Sequence, residues 1–367
     1  MSANLAAGLY FAFKKARRST IEEMFLGSRT LRVFPLAVSI FASIMSASGL
    51  VSFTGHFYAY GFHLKWSTVA YVIILPLTTH VIIPVLYNLK VTSVFQYIRM
   101  RYNLKISTTA CIINIFFLLT CGSMSVFASS VTIATIFPVP FTWCCIVTGA
   151  VGTVYTTLGG LRGVVWTDCV QAVVVLLAPA AIIIKVIYDA HFSAVRLRPL
   201  RDFDIKPYFL EANLDLTKDE NIWCGLVGLS AMSLYMSGVD SVVVQRFLAA
   251  KSLEHARRTA GTGVLLLVAF SLLQGLMTLA LIFWYRDCDP LLSGAIKSPD
   301  KIVPFFVKQN LSNFPGFSGL FLAGLTCATT STVSSVINSM AAICHMDIVS
   351  PHFKLTEQQA MKITKCL

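Results

Sequence analysis

The residues of this sequence with the clearest capacity for chemistry are small and neutral. The run Phe41-Ala42-Ser43-Ile44-Met45-Ser46-Ala47-Ser48-Gly49 sets three serines and a glycine inside an otherwise apolar stretch. Serine hydroxyls can replace backbone partners and glycine tolerates non-helical dihedrals, so a helix passing through here is expected to unwind locally. An unwound turn at membrane depth exposes carbonyl oxygens, which is how transporters build cation sites. A second cluster, Thr326 to Ser335, reads TCATTSTVSS. Within it Ala328, Ser331 and Thr332 stand at i, i+3 and i+4, on one face of a helix. A carbonyl and two hydroxyls on that face, opposite carbonyls freed at Ala42 and Met45, supply about five hard oxygen ligands without a carboxylate. Such a set suits Na⁺ better than a divalent ion, which recruits Asp or Glu. The same residue types enrich ordinary helix contacts in membranes, so composition alone leaves packing and ion binding both open.

Other polar positions read more plainly. In TTLGGLRGVVWTD, from Thr156 to Asp168, Gly159-Gly160 ends one helix. Thr167 then caps the next, with Asp168 in its first turn. Asp240 precedes Gln245-Arg246, and a local ion pair with Arg246 is expected. His80 reads as a hydrogen-bonded residue inside a span. Paired carboxylates, metal ligands and a nucleophile–base pair at membrane depth are all missing, which disfavours an enzyme. The ten cysteines show no CxxC or Cys/His metal spacing, and most lie in or near apolar segments.

The elements that must position these residues are transmembrane helices. The 367-residue chain is 56% hydrophobic and only 13% charged, about half the charge of a soluble domain. Uncharged runs cover 33–64, 66–89, 106–161, 259–285 and 309–346. A span needs ~20 apolar residues. The 106–161 run holds two, because Phe137-Pro138-Val139-Pro140-Phe141 interrupts it. The pattern predicts a partial helix at 3–13 and full spans at 33–53, 66–87, 108–130, 141–159, 167–188, 222–245, 259–285 and 318–347. The segment 348–367 is expected to have no structure of its own. A net charge of +12 raises nucleic acid as a partner. The basic residues cluster instead in short loops between spans, which points to a lipid bilayer.

Every second connecting segment (14–32, 88–105, 160–166, 246–258 and the tail) is basic, and together they hold 18 of the 29 Lys and Arg residues. The positive-inside rule puts these in the cytoplasm and loops 189–221 and 286–317 outside. Asn310-Leu311-Ser312 is a glycosylation sequon in one of those outer loops.

Taken together, GGLRGVVWTDCVQ, VQRFLAAKS, YRDCDP, SPDKIVPFFV and TSTVSSVINSMAA resemble, in order and spacing, the sodium/solute symporter family. The resemblance runs from about Leu9 to Asp347. It implies an all-α fold of the five-plus-five inverted-repeat kind, with broken helices around a midplane site. Residues 33–188 would form the first repeat and 222–347 three helices of the second, all in one transporter domain. The implied Na⁺ ligands are the carbonyls of Ala42, Met45 and Ala328 and the hydroxyls of Ser331 and Thr332. Ser46, Ser48, Gly49, Tyr235, Met236 and Ser237 become candidates for the substrate path. Gly159, Gly160, Asp168, Asp240, Gln245 and Arg246 fall in signature segments.

The sugar-transporting branch has a histidine where this chain has Gly49, a Trp-rich cluster where it has Tyr235–Ser237, and a lysine where 259–285 carries no charge. The DCDP and SPDKIVP elements are instead most like those of the monocarboxylate and multivitamin branch. The implied function is sodium-coupled import of a small organic anion (a monocarboxylate, pantothenate or biotin) across the plasma membrane, with Na⁺ as coupling ion and no other cofactor. Alternatives are a non-transporting sensor or assembly partner on the same scaffold, or a symporter for iodide or a sugar. Against the family pattern the chain reads as truncated at both ends, and residues 1–367 alone are not expected to transport. The charge pattern makes one direct prediction. A single cysteine introduced at Ser298 should react with a membrane-impermeant maleimide on intact cells. Reaction only after permeabilisation would reverse the whole topology.

Overall fold

A chain this apolar satisfies its backbone away from water most simply as helix. A computed structural model of the protein describes residues 20–192, 204–215, 217–218, 220–311, 316–353 and 356–366. Among them regular structure is helical throughout, apart from one isolated bridge between Leu31 and Ala250. The expected helix 3–13 lies outside the described residues.

In chain order the elements begin with α1 (Ile21–Leu26) and the bent pair α2 (Val33–Ile44) and α3 (Ala47–Tyr60). Next come α4 (His63–Asn88), α5 (Val94–Arg101), α6 (Leu104–Ile136) and α7 (Phe141–Phe192). The remainder are α8 (Lys206–Leu210), α9 (Cys224–Leu248), α10 (Leu253–Tyr285), α11 (Ile302–Phe306), α12 (Phe317–Val349) and α13 (Glu357–Cys366). Six of these, α4, α6, α7, α9, α10 and α12, are each long and apolar enough to cross a membrane, and α2 with α3 makes a seventh.

The 52 residues of α7 would extend ~78 Å if straight, far more than a hydrocarbon core of ~30 Å. They do not run straight. Gly160 adopts φ 55°, ψ −167°, a region essentially closed to side chains, and divides α7 into two arms. Before the break, Gly152 lies against Val333, and Gly160 against Met24, which clusters with Ala341. After it, Gln171 bonds to Thr330 and Ala178 touches Gly324. The arms therefore pass α12 in opposite directions, as a hairpin, and correspond to the spans expected at 141–159 and 167–188.

Helix ends overrun the expected bounds where caps, not the membrane edge, set them. Asn103 accepts from Ile106 N (2.8 Å) to start α6, and Ser252 accepts from His255 N (3.3 Å) to start α10. The 348–367 segment differs more: it forms α13, whose Ala360 is buried and whose Met361 packs on Met24, Phe25 and Ala341. An amphipathic helix gains that cover only by docking, which its charge-rich sequence did not reveal.

The core is built where α2 packs between α7, α10 and α12, around Phe41, Ala178, Phe270, Phe321 and Leu325. Close approach depends on small residues: a Cβ on Gly324 would stand 2.5 Å from that of Ala178. Gly160→Ala should cost ~1–3 kcal/mol of stability through its dihedrals. Gly149→Ala, with open space around it, serves as the neutral control. Equal thermal unfolding of the two variants in detergent would refute the role given to Gly160.

Candidate cation site at the broken helix

Apolar residues carry α2 as far as Ile44, where Met45 (φ −80°, ψ 89°) leaves the helix and Ser46 (φ −85°, ψ 167°) restarts it. Ser46 Oγ caps α3 by accepting from Gly49 N at 3.2 Å, and the two helices meet at 58°. A helix end frees its last carbonyls, and α12 supplies hydroxyls to them. Ser331 Oγ donates to Ala42 O at 2.8 Å and Thr332 Oγ1 to Ser43 O at 3.3 Å. Both hydroxyls also lie 3.0 Å from Ala328 O. The structure thus joins Ala42, Ala328, Ser331 and Thr332 in one cluster of buried neutral oxygens. Met45 stands at the break, but among the described residues it is the Ser43 carbonyl, in its place, that accepts from Thr332 of α12.

These oxygens fit a monovalent cation. Each hydroxyl can turn its proton aside and present a lone pair, as its carbonyl partner does, and no carboxylate biases the set toward a divalent ion.

One helical turn away, at the level of Ser39 and Ser335, lies a charged pair, Arg246 and Asp168, both 0% exposed. Arg246 Nε donates to Ser39 Oγ (2.7 Å) and Nη1 to Val242 O (2.7 Å). Nη2 donates to Ser43 Oγ and Ser335 Oγ, both at 2.6 Å, and lies 3.3 Å from Asp168 Oδ2. Ser39 Oγ donates to the same carboxylate oxygen at 2.5 Å. Ser43 is therefore shared: its carbonyl belongs to the oxygen cluster and its hydroxyl to the guanidinium.

This arrangement corrects two readings of the sequence. Asp240 forms no local pair with Arg246. It caps Val242 N (3.0 Å), while Arg246, six positions on, points to another face, since only i+3 and i+4 share one. Nor do Thr167 and Asp168 cap a helix. The break at Gly160 starts the second arm earlier, so Thr167 bonds back to Gly163 O and Val164 O and Asp168 turns inward. Gln245 spans from Phe25 O (2.9 Å) to Asn338 Nδ2 (3.0 Å). Gly159 is buried in the turn.

The substrate-path candidates fall into two separate groups. Ser46 and Ser48 share a hydrogen bond of 2.7 Å, and Gly49 O accepts from Gln274 Nε2 of α10 at 2.8 Å. Tyr235 instead meets α6, through Asn114 (2.9 Å) and Phe117, while Ser237 meets Thr78 of α4 (3.3 Å) and Met236 is half-buried. His80 is exposed and bonds within its own helix rather than facing the interior. Asn310 is half-buried in the turn Val307–Leu311, donating to Phe306 O (3.3 Å). Ser39 and Gln274 escaped the sequence reading because each is a lone polar residue among apolar ones. The i, i+4 spacing of Ser39 and Ser43, repeated at Ser331 and Ser335, is the signal that marks the network.

A broken helix facing an oxygen-bearing helix, with a second interrupted helix in α9, defines the inverted-repeat class of symporter. Comparisons agree. A solved structure of a Na⁺-coupled sialic acid symporter, in a substrate-bound outward-open state, superposes with TM-score 0.86 at 22% identity, covering 100% of this chain and 76% of that one. A nucleobase-cation-symport-1 family transporter in a closed conformation gives TM-score 0.60 at 14% identity, over 94% and 72%. The sodium:solute symporter family profile matches residues 24–367, and the chain belongs to that family, one of transporters rather than enzymes. A putative sodium-dependent multivitamin transporter of Drosophila melanogaster is 30% identical over 99% of this chain and 61% of its own length. Sodium-coupled monocarboxylate transporter 1 of Mus musculus is 30% identical over 97% and 58%. The chain thus spans about three-fifths of these relatives.

Removing one member of a buried pair strands the other, at ~3–5 kcal/mol. Arg246→Met should therefore unfold far more easily than the wild type, and adding Asp168→Asn should recover part of the loss. A double variant no more stable than Arg246→Met would show that the two charges are not coupled.

Proposed function

We propose that this chain is the sodium-binding part of a plasma-membrane symporter that imports a small organic anion, a monocarboxylate or vitamin carboxylate, by alternating access. The observation that carries this reading is the convergence of the Ala42 and Ala328 carbonyls with the Ser331 and Thr332 hydroxyls at the α2–α3 break. Na⁺ would take the place of the protons that now join these oxygens, with Met45 O completing the set, and would tie α12 to the broken helix. Residues 33–188 act as one repeat and 222–347 as the matching helices of the second, with 348–367 cytoplasmic. The names of the multivitamin and monocarboxylate relatives support the choice of organic anion.

Losing one of about five oxygens leaves a buried contact unmet, at ~1–3 kcal/mol, or roughly 5- to 150-fold in affinity. Ser331→Ala and Thr332→Ala should each raise by that factor the Na⁺ concentration that half-stabilises the purified chain against heat, with choline as the reference salt. An unchanged midpoint in both variants would remove sodium from this face.

A further inference from the structure

Between α3, α4 and α10, with Met45 in its wall, lies a cavity of about 140 Å³. Its one charged lining residue is Lys65, the single Asp, Glu, Lys or Arg between Arg32 and Lys90. A lysine near a span end normally snorkels its ammonium out to water. Lys65 does the opposite. Its Nζ crosses to the middle of α10, donating to Ser271 O (2.5 Å) and Ser271 Oγ (3.2 Å), and sits 4.6 Å from the centroid of the Phe57 ring. Thr68 Oγ1 shares a further hydrogen bond with Ser271 Oγ at 2.9 Å. No ion pair joins Lys65 to an acid among the described residues. An ammonium drawn inward without a carboxylate lacks its natural partner, and a charge at such depth marks a functional site whose counter-ion is to be named.

The rest of the lining names it. Beside Nζ stand two hydroxyls able to donate to an anion, and the same cavity is lined by the apolar side chains of Phe53, Phe270 and Leu267. Polar donors and apolar lining in one cavity fit a carboxylate with a short carbon chain. Size narrows the class, because an apolar cavity of ~150 Å³ holds one benzene, or about six heavy atoms. Drug-sized ligands need ~300 Å³ or more. We propose that this cavity binds a monocarboxylate of about three to five carbons, its carboxylate on Lys65 Nζ and its chain against Phe270 and Leu267, and that it excludes vitamin-sized acids. This assignment rests on the sodium-symporter reading and chooses between its two substrate classes.

The test is binding of radiolabelled butyrate to the purified chain in lipid nanodiscs with Na⁺, competed by unlabelled butyramide or biotin. Butyrate should bind, while butyramide and biotin compete at least tenfold more weakly. Lys65→Gln should weaken butyrate at least tenfold and erase its advantage over butyramide, whereas Lys65→Arg should keep that advantage. Stabilisation by Na⁺, read on the same samples, shows that each variant is folded and tests the sodium site independently. With that stabilisation intact, three results would each overturn the assignment and leave the symporter reading standing. They are no butyrate binding to the wild type, equal butyrate affinity in Lys65→Gln, and biotin competing as well as butyrate. Butyrate binding that depends on Lys65 while Na⁺ has no effect would instead uphold the cavity and sink the sodium site.

Discussion

A guanidinium held away from water organises this molecule below the break between α2 and α3. Arg246 on α9 reaches Ser39 and Ser43 on α2, Ser335 on α12 and Asp168 on the second arm of α7. Four elements meet at one planar group with five fixed donors. Burial makes every one of those bonds matter, because a charge in low dielectric is costly until its donors are satisfied. The small residues that looked like packing positions are the means of satisfying it. The network continues toward the turn at Gly160, where Arg162 pairs with Glu23 (3.1 Å) and donates to Gly27 O, strapping α1 across it.

Ser43 couples that charged layer to the oxygen cluster above it. Its position on α2 is set by the guanidinium through its hydroxyl, and its carbonyl is offered to Thr332. The freed carbonyls are thus not loose ends of a frayed helix. They face a neighbour whose own backbone approach is fixed by the contact of Gly324 with Ala178.

The fold was largely legible in the sequence, since spans follow from apolar runs and breakers. The break itself was visible in the serines after Ala42, and the hairpin in Gly159-Gly160. The charged residues were misread, and for one reason. Spacing along a helix reports neighbours three or four positions away, whereas Asp168 and Arg246 are 78 positions apart and meet only through tertiary packing. The same limit hid Gln274 and the inward turn of Lys65, whose partners lie more than two hundred residues distant. The expected helix bounds fell short because charge marks the membrane surface whereas capping side chains mark the end of the helix.

The bend between α2 and α3 makes α3 a lever. Below the joint α2 is gripped by the guanidinium. Above it α3 is held by other contacts, such as Gln274 on Gly49 and Tyr58 on Asp289 (3.1 Å). Its 14 residues give an arm of ~21 Å, so a change of ~10° at Met45 and Ser46 carries the far tip through about 4 Å. That is wider than a water molecule, ~2.8 Å across. The backbone of Pro299 and Asp300, which presses on Gly55 within 3 Å of where a side chain would begin, must travel with that tip. A small rotation at the break is thereby magnified at the far end of α3.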